Sequence, residues 1–141
     1  MNRKQIQIEV CKAFLNPNNR VAYSEINAHE IAVTATGFDA FVFDKNEIIF
    51  DVSKIRKIET LKSVLADCDT DEPIKPTGEM FKENGKLIAK LTSESFELFA
   101  DSTLMGKFSE YQLFANSPTE RILAKDRFGR LVGCFLPYKM R

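Results

Sequence analysis

The sequence contains no tryptophan, a single histidine and no excess of charge of either sign. Among its 141 residues, 20 are Lys or Arg and 20 are Asp or Glu. This balance gives the whole chain no general attraction to DNA, RNA or anionic lipid, although a basic face can exist within a neutral total. Because His29 is the only histidine, the residue sets that usually bind zinc are poorly supplied. We therefore expect no metal and no cofactor.

Long apolar runs are also absent. No stretch approaches the roughly 18 apolar residues that a membrane-spanning helix needs, and the N-terminus lacks the apolar segment of a secretory signal. Cys11, Cys68 and Cys134 form an odd set without the paired spacing of a metal site, which favours reduced thiols. A cytoplasmic protein without membrane contact is the expectation.

The N-terminal third predicts one helix followed by short strands. A helix is predicted over residues 3–15, because apolar residues such as Ile6 and Val10 recur at helical spacing. Asn2 followed by Gln5 three residues later is a capping-box pattern. Segments rich in β-branched and aromatic residues then predict strands at 20–26, 31–36, 39–43 and 47–51.

The middle of the chain predicts a second helix and a hairpin. Residues 53–65 place several apolar side chains on one helical face, with Asp51 or Ser53 available as a cap. Asn84-Gly85 predicts a hairpin turn, because both residues tolerate the positive φ of a type I′ turn. The remaining elements are predicted as follows: a loop at 67–78, paired strands at 78–83 and 86–91, a helix at 93–101, and strands at 107–115, 120–125 and 130–136.

This succession of elements predicts an α+β fold. Hairpin-length connections between strands favour a mostly antiparallel, curved sheet, with two or three helices on one side of it. The length is typical of one domain, spanning residues 1–141. The predicted core includes these apolar residues: Val10, Phe14, Val33, Phe41, Ile49, Leu123 and Leu136.

No catalytic constellation is visible in the sequence. The acidic run at 67–71 has the spacing that opens a calcium loop of the EF-hand type, but the glycine required at the sixth position is Glu72. No glycine-rich phosphate loop precedes a helix. Twelve phenylalanines without tryptophan are more typical of a core than of a base-stacking platform. We therefore predict a protein that is not an enzyme.

Two basic helical faces are the charge pattern that points to a partner. The bases lie off the apolar faces of the two predicted helices: Arg3, Lys4 and Lys12 on the first, and Lys54, Arg56, Lys57 and Lys62 on the second. One interpretation is an ordinary solvated helix surface. The other is a contact with backbone phosphates that does not depend on nucleotide sequence.

Three segments resemble a domain of the sliding DNA clamps, the family of the bacterial polymerase β-subunit. The predicted first helix running into residues 20–26 is similar to a clamp helix that leads into a hairpin. Residues 34–43 are similar to a clamp segment in which a threonine and an Asp-Gly pair precede a basic-apolar stretch, although here Asp39 follows the glycine. Residues 116–141 resemble the last two strands of a clamp domain, since Leu136-Pro137 and Met140-Arg141 match its usual ending in character.

The resemblance implies a curved-sheet domain whose second helix is either 53–65 or 93–101, and a protein that contacts double-stranded DNA through backbone phosphates. On this interpretation six bases face the DNA together: Arg3, Lys4, Lys12, Lys54, Arg56 and Lys57. Clamps carry several such domains per chain, so this chain would encircle DNA only after self-association, in a replication-accessory role. The alternative is a clamp-like protein-interaction module without DNA contact, such as a clamp mimic from a phage or other mobile element.

Overall fold

A computed structural model of the chain describes residues 2–13, 15–16 and 20–140. The chain divides between Ala66 and Asp67 into two compact units, which we call the N-terminal unit and the C-terminal unit. The described residues form ten strands and three α-helices. Within each unit the strand pairings are antiparallel, apart from one short parallel pair. The predicted class, α+β with mostly antiparallel sheet, is therefore confirmed.

The N-terminal unit combines one longer helix with four short strands. Its sheet has the order β4-β1-β2-β3, and β4 is the strand that pairs in parallel with β1. The elements are α1 (Arg3–Ala13), β1 (Ala22–Glu25), β2 (Glu30–Thr34), β3 (Asp39–Asp44), a 3-10 turn (Val52–Lys54), β4 (Arg56–Lys57) and α2 (Thr60–Val64).

The C-terminal unit is built on six strands in the order β10-β9-β8-β5-β6-β7. Its elements are β5 (Glu72–Glu83), β6 (Lys86–Thr92), β7 (Glu97–Asp101), α3 (Ser102–Gly106), β8 (Gln112–Ala115), β9 (Ile122–Lys125) and β10 (Leu131–Phe135). The helix α3 was not predicted. No helix in the described part of the chain is long and apolar enough to cross a membrane.

Two local sequence signals are confirmed in detail. The amide of Gln5 donates to Asn2 Oδ1 at 2.9 Å, and the amide of Asn2 donates to Gln5 Oε1 at 2.9 Å, which is the reciprocal capping box at the start of α1. At the predicted hairpin, Asn84 and Gly85 both have positive φ, of 52° and 77°. This turn joins β5 to β6 in the predicted register from Met80 to Glu83, and the register shifts between Pro76 and Met80.

The predicted core is only partly correct. Four of its residues are almost completely buried: Val10, Val33, Phe41 and Leu123. Phe14 lies outside the described residues. The prediction is wrong for Ile49, which is 65% exposed, and for Leu136, which is 41% exposed. Leu136 follows the last residue of β10, so its side chain lies beyond the end of the sheet ladder.

The strand predicted at 47–51 does not form, because a glutamine side chain takes the place of a neighbouring strand. Gln7 of α1 is buried. Its Nε2 donates to the carbonyl of Glu47 at 3.0 Å, and its Oε1 accepts from the amide of Ile49 at 2.8 Å. Backbone groups that a ladder would have paired are thereby satisfied by α1.

The helix predicted at 53–65 is divided into a 3-10 turn, the strand β4 and the five-residue α2. The predicted cap is real, since Asp51 Oδ1 accepts from the amide of Ser53 at 3.0 Å. However, the chain becomes extended at Ile55, and the amide of Ile58 then donates to Tyr23 of β1 at 2.8 Å. Pairing with β1 therefore overrides the helical periodicity, as β-branched isoleucines favour.

The helix predicted at 93–101 is also wrong, because its capping serine serves a turn instead. Ser93 Oγ accepts from the amides of Ser95 and Phe96, both at 3.1 Å. These are the hydrogen bonds that an N-cap serine would make, but here they close a turn between β6 and β7. Residues 107–111, predicted as strand, are turns that precede β8.

The loop predicted at 67–78 is wrong from Glu72 onward, where β5 begins. This strand is paired on one edge at a time, with β8 up to Ile74 and with β6 from Lys75. A strand of this kind tolerates Pro73 and Pro76, because a proline without an N–H can turn that side toward the unpaired edge. The prolines therefore did not exclude a strand.

Candidate nucleic-acid interface

Three of the six predicted site residues lie together at one edge of the N-terminal sheet. Lys54 ends the 3-10 turn, and Arg56 and Lys57 form β4, which is the outermost strand. All three are exposed. Since consecutive residues of a strand point to opposite faces, Arg56 and Lys57 present charge on both sides of this edge.

The backbone that carries these bases is anchored from both sides of β4. Ile55 and Leu61 are each 8% exposed, so apolar side chains fix the segment to the unit. Ser24 Oγ donates to the carbonyl of Ile58 at 2.5 Å, which adds to the amide bond from Ile58 to Tyr23. The cations therefore project from an ordered edge rather than from a free loop.

The same segment carries a fourth base, Lys62 in α2, which is also exposed. We call Lys54, Arg56, Lys57 and Lys62 the basic segment. None of these four has an ion-pair partner among the described residues. The carboxylates nearby in sequence are Asp51 and Glu59. Hydrogen bonds from the Ser53 hydroxyl and amide, together with the charge of Lys54, lower the pKa of Asp51.

Arg3 lies elsewhere and has a partner. Its guanidinium pairs with both carboxylate oxygens of Glu47, donates to the carbonyl of Val42 at 2.7 Å and lies 5.3 Å from the ring centroid of Phe43. Partial burial raises the pKa of Glu47, but hydrogen bonds from Arg3 and from the amide of Asp44 outweigh it and lower that pKa. The charge of Arg3 is therefore largely committed within the unit.

The other two bases of α1 are exposed. Lys12 Nζ lies 3.5 Å from Glu9, one turn earlier in the helix, and Lys4 has no ion-pair partner among the described residues. The contacts of Arg3 place the start of α1 beside β3, whereas the basic segment lies at β4. These strands are three positions apart in the sheet, a separation of about 14 Å at ordinary strand spacing. The structure thus brings together Lys54, Arg56 and Lys57, and keeps Arg3 and Lys4 apart from them.

One further base, Arg20, was not in the predicted set. Its side chain lies over the β2–β3 turn, with Cδ 3.7 Å from the position that a Cβ of residue 37 would occupy. Its position depends on the pairing of β1 with β4, which the sequence pattern does not indicate.

The C-terminal unit offers a different kind of site, an apolar cavity of about 360 Å³. It lies where β8 leaves β5 and is lined by the two prolines of β5, by residues of α3 and the following turn, and by β8, including Met105, Phe108, Tyr111 and Leu113. Its volume is within the range of small-molecule pockets. Among the described residues, no group of His, Cys, Asp or Glu is arranged to hold a metal ion.

A well-paired and largely buried ion pair of the C-terminal unit joins Asp71 to Arg121. The two nitrogens of Arg121 donate to the two oxygens of Asp71 at 2.8 and 2.9 Å, and the side chains are 10% exposed for Arg121 and 6% for Asp71. Burial raises the pKa of Asp71, but the bonds from Arg121 and the amide of Cys68 outweigh it and lower the pKa. The pair fastens the acidic run 67–71 to the start of β9, which is a structural role.

Comparison with known proteins identifies no relative. No protein-family model, no curated protein and no solved structure matches the chain. The resemblance to sliding clamps therefore stays a prediction from the sequence.

Proposed function

We propose that this protein binds the phosphate backbone of nucleic acid through its basic segment, without reading nucleotide sequence and without catalysis. The observation that carries the proposal is the concentration of exposed cations without ion-pair partners on one anchored edge of the N-terminal unit. Lys and Arg side chains in this state neutralise phosphates, and the released counterions drive the binding.

The role of Lys54, Arg56 and Lys57 is that of phosphate contacts, and Lys62 extends them along the same segment. Arg3 contributes less, because a phosphate would compete with Glu47 for its guanidinium. With about four phosphate contacts, the logarithm of the binding constant for duplex DNA should fall with the logarithm of salt concentration with a slope of about −3.6. The dissociation constant should lie near ~10⁻⁴ to 10⁻⁶ M at physiological salt.

The clamp resemblance supports a replication-accessory role, in which weak contacts suffice because the protein is held on DNA by its geometry. A chain of this size would then act after several copies associate edge to edge, since head-to-tail contacts close into a ring when the rotation permits. Light scattering measures this directly: a closed oligomer supports the clamp-like role, and a monomer at high concentration contradicts it.

The test of phosphate binding is a titration of duplex DNA with the parent and two charge-reversal variants. The first variant carries Lys54→Glu, Arg56→Glu and Lys57→Glu. The matched control changes three exposed lysines of the C-terminal unit by the same total charge: Lys75→Glu, Lys82→Glu and Lys139→Glu. Only the first variant should lose binding and salt dependence. Equal losses in both variants would mean that total charge, not the basic segment, determines binding.

The alternative function, a protein-interaction module without DNA contact, is supported by the apolar cavity of the C-terminal unit. Such a cavity fits one apolar side chain or short apolar segment of a partner. If the parent fails to bind nucleic acid at low salt, this second function is favoured. Phe108 lines the cavity but is also part of the core, so substituting it would be uninformative. The test is instead Met105→Glu at the cavity wall, which should weaken the binding of an apolar partner segment.

A further inference from the structure

One end of the N-terminal sheet combines an exposed aromatic ring with cations. Phe38 lies in the turn between β2 and β3, where its side chain is 53% exposed. Single exposed apolar residues are common on protein surfaces, but an exposed ring at a turn presents a face on which a planar group can stack. The core prediction made for the phenylalanines as a class does not apply to this one.

The turn that presents Phe38 is held by side-chain hydrogen bonds. The amide of Phe38 donates to Thr36 Oγ1 at 3.1 Å, and the amide of Gly37 donates to Thr34 Oγ1 at 2.9 Å. Asp39 Oδ1 accepts from the amides of Ala35 and Thr36 at 3.3 and 3.4 Å. Gly37 takes the positive φ of 85° that the turn requires. The ring is therefore carried by an ordered backbone.

Strand register brings the basic segment to the same end of the sheet. Ala22, the first residue of β1, pairs with Thr34 of β2 and with Arg56 of β4. Continuing both registers backward by two residues places Arg20 between the β2–β3 turn and Lys54. The contact of Arg20 with Gly37 agrees with this placement.

We infer that this end of the sheet binds single-stranded nucleic acid, with one base stacked on Phe38 and the adjoining phosphates on Arg20, Lys54 and Arg56. The inference rests on the proposed function and narrows its substrate class. Positive grooves with aromatic side chains are the usual means of binding single strands without sequence preference. A duplex keeps its bases stacked inside, so Phe38 adds nothing to duplex binding.

The geometry suits a short stretch of a strand. Phe38 and β4 are separated by the width of two or three strands in the sheet, about 10–14 Å. A single strand that crosses this end could therefore place one base on the ring and contact the cations on either side. Asp39, the carboxylate next to Phe38, is buried and accepts from the turn amides, so its oxygens are not presented to a phosphate at the surface.

The experiment compares an oligothymidine of about 12 nucleotides, within the range of known single-strand sites, with a hairpin duplex by fluorescence anisotropy. The proteins are the parent, Phe38→Ala, Phe38→Leu, Phe38→Tyr and the control Phe128→Ala, whose ring is 80% exposed in the C-terminal unit. Phe38→Ala and Phe38→Leu should weaken single-strand binding about tenfold, equivalent to about 1.4 kcal/mol. Phe38→Tyr and Phe128→Ala should bind as the parent does.

The outcomes separate this inference from the proposed function. Duplex binding should be unchanged by every Phe38 substitution and lost in the Lys54, Arg56 and Lys57 charge-reversal variant. If Phe38→Ala and Phe38→Leu bind the single strand as tightly as the parent, stacking is refuted while phosphate binding stands. If the parent binds neither probe at low salt, both proposals fail.

Discussion

Nine Lys and Arg residues accompany eight Asp and Glu residues in the N-terminal unit, and the corresponding numbers in the C-terminal unit are eleven and twelve. By charge count the units are nearly equivalent, so the useful comparison is between the paired bases of the C-terminal unit and the four bases of the basic segment. The C-terminal unit pairs several of them with carboxylates: Lys86 with Asp101, Lys90 with Glu79 and Glu97, Arg121 with Asp71, and Lys125 with Asp67.

The N-terminal unit leaves its basic segment without such partners. Arg3, Lys12 and Lys45 have carboxylate partners there, whereas Lys54, Arg56, Lys57 and Lys62 do not, within the part of the chain that is described. A count of charges therefore says little about which cations are available to a ligand. The difference predicts that the well-paired Arg121 of the C-terminal unit acts on stability and that the bases of the basic segment act on binding.

The largest effect on stability is expected from removing one buried ring from the core of either unit. Phe41→Ala in the N-terminal unit and Phe108→Ala in the C-terminal unit should each cost about 3–5 kcal/mol, because both rings are almost completely buried. If the chain is one domain, as its length predicts, chemical denaturation of both variants should give a single transition shifted to lower denaturant. Two separated transitions would contradict the single domain.

The next effect compares a paired base with an unpaired one. Arg121→Ala should cost about 1–3 kcal/mol, because it leaves the partly buried carboxylate of Asp71 without its partner. Arg56→Ala should change the free energy of unfolding by no more than about 0.5 kcal/mol and should weaken nucleic-acid binding. Equal destabilisation by the two variants in urea titrations would remove the distinction between the units.

Acid should act on the two units unequally. Asp71 and Glu47 both have a folded-state pKa below their ordinary values of 3.8 and 4.5. Each therefore adds stability that is complete above its ordinary pKa and is lost as pH falls through the lower folded-state pKa. The Asp71 side chain is more buried than that of Glu47. The free energy of unfolding should therefore fall less steeply below pH 4 in Asp71→Asn than in Glu47→Gln.

The smallest effect on stability is expected at Ile49, which was predicted to be in the core but is exposed. Ile49→Ala should change stability by no more than about 0.5 kcal/mol, since the side chain is mostly in water. Val10→Ala, at a fully buried position of the same unit, is the matched comparison and should cost several times more. A loss at Ile49 as large as that at Val10 would mean that Ile49 is covered by a partner in solution.

Signals that depend on neighbouring residues alone were read correctly from the sequence. The capping box of Asn2 and Gln5 and the Asn84-Gly85 turn satisfy their own hydrogen bonds or dihedral angles locally, so they depend little on the rest of the chain. Two of the errors lie where a distant group supplied the bonds, whereas at 93–101 a local turn used the hydrogen bonds of a helix cap. The side chain of Gln7 forms hydrogen bonds with backbone groups of residues 47–49. Pairing with β1 holds residues 56–58 in an extended conformation instead of a helix.

The candidate site follows the same distinction: the part that depends on residues close in sequence could be predicted, and the part that depends on distant residues could not. The spacing of Lys54, Arg56 and Lys57 in the sequence was enough to bring them together, whatever the conformation of the segment. Arg3 lies 44 residues from Glu47, and nothing in the sequence indicated that the two pair. Arg20 and Phe38 required the sheet register, which sequence periodicity does not supply.

The unpaired edge of β5 has a consequence for how the protein behaves at high concentration. Within the described residues no strand pairs with that edge beyond Ile74, and eight consecutive residues, Lys75 to Lys82, are exposed. An open strand edge invites intermolecular β-pairing and aggregation. Pro76, the irregular register before Met80 and the charge of Lys82 each interrupt such pairing. Replacing Pro76 by valine and Lys82 by isoleucine would remove two of these three interruptions, so the double variant should aggregate at a lower concentration than the parent.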